Sequence, residues 1–262
     1  MHEPADPAPP RGPFALGREH WLMAGLGGLI GTVLSLGVVF GAGALGFLPG
    51  TGDARIHAYL LSHPAVLYEM ANAAQNEDAD QAQQRLQAAV DKIGLAKFFD
   101  PSIAYVTGPA GAKNSFVEFF DYNCAHCRNT FAAVKKFYAA HKTDTRFAFV
   151  EFPIFGDASS EAARVAIAAR NQGDAYLALH FLLMSEKAPI DTNLLFADAQ
   201  KAGLNMTKLD ADVLNPNVGR TILDAHNLAQ DVTVGGTPFF IINGTPHEGE
   251  ITDAELKRLA KS

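Results

Sequence analysis

The chain has 262 residues, 48% of them hydrophobic, which is enough for one or two packed domains. Its formal net charge is −7, acidic and basic residues are mixed along it, and no basic patch carries interleaved aromatics, which argues against nucleic acid as a partner. Only two cysteines are present, with no second Cys pair and no H-x-x-x-H, so a zinc site built on them would lack its remaining ligands.

Residues 1–20 are rich in Pro, Ala and Gly and read as a disordered tail. From Trp21 to Gly52 there is no charged residue, and Trp21 to Leu48 is apolar throughout, long enough to cross roughly 30 Å of hydrocarbon. Residues 21–48 are therefore expected to be a transmembrane anchor in a bacterial inner membrane. Arg11 and Arg18 precede the span and only Arg55 follows closely, which puts the tail in the cytoplasm and residues 53–262 in the periplasm. A cleaved signal peptide is the alternative, because Ala42-Gly43-Ala44 fits an A-x-A site and would leave a soluble periplasmic protein. Either topology puts the cysteines in an oxidising compartment.

Residues 53–99 read as a helical stalk. Leu60, Leu61, Val66, Leu67 and Met70 form one thin apolar stripe, Leu86, Val90, Ile93 and Leu95 another, and the run between them is polar all round. Such a helix cannot bury itself alone, so the segment is either a spacer or a homo-oligomerisation element.

Strand character follows at Ile103–Val106, a turn cluster at 107–114, and a second strand at Phe116–Phe120. That strand hands over, through Asp121-Tyr-Asn, to Cys124-Ala-His-Cys127 and a helix marked by Phe131, Val134, Phe137 and Tyr138. A thiol at a helix N-terminus lies against unpaired N–H groups and the positive end of the dipole, which favour the thiolate. A second thiol one turn on can close the disulfide after the first has attacked a partner. Arg146–Phe152 is another strand, ended by Pro153. Helical patterns then cover Ser159–Gln172, with Asp157 or Ser159 as cap, followed by Asp174–Ser185, Asp191–Ala202, Met206–Asp212 and Asn217–Asp231. Strand character returns at Thr237–Ile242 and ends at the turn pair Asn243-Gly244. The last helix runs from Thr252 to Ala260, with Thr252 and Glu255 as a capping box.

The segments V-E-F-F-D-Y-N-C-A-H-C-R and V-G-G-T-P-F-F-I-I-N-G, with helices inserted between them, resemble the DsbA-like thioredoxin-fold family over residues 100–262. The stalk segment H-A-Y-L-L-S-H-P-A-V-L-Y-E-M further resembles the suppressor-of-copper-sensitivity protein C group, whose members include trimeric disulfide isomerases. The resemblance implies an α/β thioredoxin fold split into residues 100–156 and 232–262, with a helical insertion at 157–231. It implies that Cys124 is the exposed nucleophile and Cys127 the buried resolving thiol. Thr237 would pair its backbone with an extended substrate beside a cis-Pro238. Glu118 would be a buried acid of raised pKa that carries the proton released by Cys127. His126 would stabilise the Cys124 thiolate by charge or hydrogen bonding, and Ala125 stands where strong oxidases of the family often carry proline.

The implied function is a thiol–disulfide oxidoreductase, a disulfide isomerase or reductase that acts on protein thiols and disulfides and is served by a membrane redox partner. A dithiol oxidase is the alternative. A copper-binding module is a further one, because thiolates and His126 suit Cu(I). No cofactor and no metal site is called for. His57, His63, His141, His180, His226 and His247 share no ligand spacing, and Phe119 and Phe120 read as core.

Overall fold

The computed structural model describes residues 37–38 and 51–260. The anchor expected at 21–48 and the tail before it thus lie outside the described residues, save for positions 37–38. Among the described residues no helix is long and apolar enough to cross a membrane. The described residues divide into two compact units, one up to residue 76 and one from residue 77 on.

α1 (Thr51–Ser62) of the first unit stops at His63-Pro64, and α2 (Ala65–Ile93), whose residues from 77 on belong to the second unit, starts directly after that proline. Proline lacks the N–H that a helix interior needs but is tolerated where a helix begins, so the helical stalk is divided at Pro64. Gly94, at φ 82°, ends α2, and a 3₁₀ turn at Leu95–Phe99 follows.

The second unit is built on a five-stranded sheet in the order β1-β3-β2-β4-β5. Its strands are β1 (Tyr105–Thr107), β2 (Asn114–Phe120), β3 (Thr145–Glu151), β4 (Phe239–Ile242) and β5 (Thr245–Glu248). β2 and β3 run parallel, and the other pairings are antiparallel. Strand one begins two residues later than its apolar run suggests, because Ile103 and Ala104 turn inward to the core. β5 has no sequence signature, since Pro246 lies in its middle, and proline is normally confined to edges and bulges. It is an edge strand, held by the two-residue turn of Asn243 (φ 51°) and Gly244 (φ 82°) and paired with β4 alone.

β2, β3 and β4 are buried at nearly every position because both faces of the sheet are covered. One face presents Phe116, Phe120, Phe147, Phe149, Phe240 and Ile242 to helices α3 (Ala125–His141), α4 (Asp157–Ala169), α5 (Ala175–Ser185), α6 (Thr192–Lys201), α7 (Met206–Val213) and α9 (Asp253–Leu259). The other presents Val117, Phe119, Ala148, Val150, Phe239 and Ile241 to Leu86 and Val90 of α2, to Phe98 and Phe99, and to Ala225, Leu228 and Val232 of α8 (Pro216–Val232). Each buried phenylalanine contributes roughly 1.5–3 kcal/mol, so this two-sided layer supplies most of the cohesion. α4–α8 stand between β3 and β4 in the chain. The cap of α4 is Gly156 rather than Asp157 or Ser159; Asp157 sits inside the first turn, where its charge complements the dipole. The Thr252–Glu255 capping box of α9 is complete.

Gly108 (φ 84°) lies against the start of β3, where an added Cβ would sit 2.2 Å from the Thr145 carbonyl oxygen. Gly108→Ala is expected to lower the stability of the folded unit by about 3 kcal/mol, from positive-φ strain and backbone displacement together, read as a shift of the urea midpoint.

Candidate active site

Cys124 is the N-cap of α3, in extended conformation (φ −75°, ψ 117°), and Cys127 lies one turn into the helix. Three side chains hold the loop that delivers Cys124. The buried Asp121 carboxylate accepts from the Asn123 N–H (2.7 Å) and from the Ile154 and Phe155 N–H groups (2.7 and 3.1 Å), so the end of β2 is tied to the loop after β3. The Asn123 side chain accepts from the Ile190 N–H at 2.7 Å. Arg128 donates to the Tyr122 and Ala188 carbonyls at 3.3 and 3.2 Å.

Both cysteines are free thiols. Cys124, expected to be exposed, is instead 1% exposed, and Cys127 is fully buried. The Cys124 Sγ donates to the Thr237 carbonyl oxygen at 3.1 Å. The Thr237–Pro238 bond is cis, which brings that carbonyl over the helix N-terminus. The carbonyl thus caps the sulfur, the reason a residue at the head of a surface helix is covered.

The two thiols are driven apart in acidity. A hydrogen bond from Cys127 is the largest influence on Cys124; it outweighs desolvation and, with help from the Thr237 side chain and the Cys127 and His126 backbone, brings the Cys124 pKa down to about 5. Burial pushes Cys127 far above the usual thiol range, and its hydrogen bond to Cys124 adds to that. One sulfur is a ready thiolate at neutral pH and the other a firmly held thiol.

Glu118 lies in β2 on the sheet face that packs against the cysteine helix, 1% exposed, and neither carboxylate oxygen has a hydrogen-bond partner among the described residues. Burial alone raises its pKa to about 8. When ionised, its charge adds a push against ionisation of Cys127 that is smaller than those of burial and the bond to Cys124. Of the two ways expected for His126 to support Cys124, the hydrogen bond is not made: its side chain is 70% exposed and its Nδ1 pairs with Glu250 Oε1 at 2.7 Å, while charge coupling between the ring and Cys124 remains. Only its backbone N–H supports the thiolate directly.

Beneath the site lies a buried polar chain that the sequence did not disclose. Arg170 pairs with Glu151, Tyr176 donates to Glu151 at 2.8 Å, and the Tyr122 hydroxyl stands 3.2 Å from His180 Nδ1. His180 is enclosed by Phe120, Tyr122, Phe131 and Phe149, and burial lowers its pKa to about 3, so it is neutral. Tyr122, two residues before Cys124, is anchored by it. A cleft of about 590 Å³ runs along the exposed side of α3, lined by Arg128, Phe131, Lys135, Met184 and Lys187 among others. No cluster of three or more metal-ligating side chains occurs among the described residues.

Residues 116–257 match the model of the DSBA-like thioredoxin domain. The chain belongs to that family. Its structure is similar to a thioredoxin-like oxidoreductase from Silicibacter pomeroyi, with 34% identity, 63% of this chain and 93% of the other covered, and a TM-score of 0.58. It is also similar to Proteus mirabilis ScsC in a transitional conformation, with 25% identity, 80% and 91% covered, and a TM-score of 0.59. A curated relative, the Na(+)/H(+) antiporter NhaA 3 of Salinispora tropica, is 27% identical over 179 residues, 68% of this chain and 27% of that protein. The chain thus spans about a quarter of the length of the curated relatives it matches. As a DsbA-like protein it has the fold of a thiol–disulfide oxidoreductase.

Glu118 makes folding pH-dependent in a defined direction. Its pKa is raised from 4.5 to about 8 on folding, so between those values the folded state keeps a proton that the unfolded chain has lost. The associated stability is full below pH 4.5 and is lost as pH rises through about 8, by at most about 1.4 kcal/mol per pH unit. Glu118→Gln is expected to flatten denaturation midpoints between pH 5 and pH 8, a relative gain of roughly 3 kcal/mol at the alkaline end.

Proposed function

We propose that this protein exchanges disulfides with protein substrates through Cys124 and Cys127, and that it works as an isomerase or reductase. The observation that carries the reading is the split in acidity between two thiols one helical turn apart, beneath the carbonyl of Thr237. The Cys124 thiolate attacks a substrate disulfide; one S–S bond forms, the substrate bond breaks, and the departing sulfur leaves as thiolate. In isomerisation a second substrate thiolate attacks the mixed disulfide and releases Cys124, with no net electron transfer. In reduction Cys127 attacks Cys124 and closes their disulfide, the substrate leaves as thiolate with two electrons, and the Cys127 proton goes to that departing thiolate; Glu118, protonated at neutral pH, can relay it only by giving up its own proton. Thr237 must exchange its contact with Cys124 for one with the substrate backbone, so docking and uncovering of the sulfur are one event.

Ile56, Tyr59, Leu61, Leu67, Tyr68 and Met70, exposed on α1 and α2, support self-association through residues 53–99. The charge-free run 21–48 supports a membrane anchor with the catalytic unit in the periplasm and a membrane redox partner. Ion exchange, named in the antiporter relatives, is no part of this proposal.

One observation favours the opposite direction of electron flow. A thiolate stabilised to a pKa of about 5 favours the reduced form and makes the disulfide a better oxidant, as a dithiol oxidase requires. Acid-trapping of the cysteines in cells separates the two: mostly reduced supports the isomerase or reductase, mostly oxidised the oxidase. Cys127→Ser is expected to accumulate mixed disulfides with other proteins, and Cys124→Ser to form none and to lose exchange activity by several orders of magnitude. Exchange that survives in Cys124→Ser would sink the reading.

A further inference from the structure

Glu250 lies in the four-residue link between β5 and α9, and both its neighbours are fastened. On one side the Gly249 N–H donates to the Pro238 carbonyl at 2.9 Å. On the other, the buried Thr130 hydroxyl of α3 donates to the Ile251 carbonyl at 2.6 Å and accepts from the Ile251 N–H at 3.1 Å. Glu250 is thus set in a bridge between the cis-proline loop and the cysteine helix. Its Oε1 receives His126 Nδ1 at 2.7 Å and Asn129 Nδ2 at 2.9 Å, and its backbone carbonyl lies 3.0 Å from His247 Nε2.

We propose that Glu250 is a positioning residue for disulfide exchange: it holds the His126 imidazole by Nδ1 and sets how far that ring's positive charge supports the Cys124 thiolate. The proposal rests on the exchange reading given above and adds a residue to it. A ring held by one nitrogen cannot turn to donate Nδ1–H to the sulfur, so its contribution is electrostatic. A carboxylate bonded to that nitrogen favours imidazolium, the form that contributes. The bond to Glu250 and the charge of Glu250 indeed raise the His126 pKa, with a smaller push from the Cys124 thiolate; Asn129 and His126 lower that of Glu250.

The other ionisable groups around this pair are few. His247 of β5 faces the Glu250 carbonyl, Arg128 of α3 points away to the Tyr122 and Ala188 carbonyls, and Lys136 is engaged by Asp253. Glu250 is therefore the carboxylate that addresses His126. Because the pair is solvent-exposed, its influence is modest and screened by salt.

The test uses the full chain. In Glu250→Gln, the His126 titration followed by NMR is expected to move to lower pH, and the Cys124 thiolate absorbance titration to higher pH. The glutathione equilibrium is expected to move about three- to tenfold toward the disulfide, tenfold being about 30 mV. In a His126→Ala background the same substitution should leave the Cys124 titration unchanged. An unshifted Cys124 titration in Glu250→Gln, or a shift that persists without His126, overturns the proposal. These titrations need no protein substrate. A protein that shows the coupling yet fails to exchange disulfides would refute the proposed function and leave the Glu250 inference standing.

Discussion

The site depends on one contact, the Cys124 sulfur held between the N-terminus of α3 and the carbonyl of Thr237. Helix N–H groups and the Cys127 thiol draw negative charge onto that sulfur. The carbonyl above it can accept only while the sulfur keeps its proton. Once Cys124 ionises, the Thr237 carbonyl is therefore free to accept an N–H from a substrate backbone. Reactivity and protection arise from the same few atoms.

The surrounding architecture keeps those atoms in register. β2 delivers the cysteine loop and β4 delivers the proline loop, and the two strands are antiparallel neighbours with Phe119 opposite Phe239. The ends that carry the chemistry therefore lie side by side. The ties from Asp121, Asn123 and Arg128 stop the loop before Cys124 from moving independently. Tyr122 is clamped from below by His180, a neutral histidine in an aromatic shell. Glu118 is the carboxyl of this region with neither oxygen partnered among the described residues. An unpartnered carboxyl in an apolar layer is tolerable only while protonated, and the thiol it opposes is the one that must lose its proton late in the cycle.

His126 illustrates how two elements distant in the chain divide one task. Its backbone N–H serves the thiolate as part of the helix terminus, while its ring is turned outward to Glu250. The identity of the residue inside the C-x-x-C matters through a carboxylate 124 residues away.

Local chemistry alone determined the strand-to-helix position of the two cysteines, the apolar character of β2, β3 and β4, the Asn243-Gly244 turn, the capping box of α9, and the helices between β3 and β4. Each is written in spacing or in residues with special backbone demands. Only the folded chain decided that Cys124 is covered, that His126 faces Glu250, that Asp121 and His180 support the site, and that Thr245–Glu248 is a strand. Each of these rests on pairing or packing between segments far apart in the chain or on an edge pairing with no periodicity of its own, and single-residue patterns carry no record of which distant group will arrive.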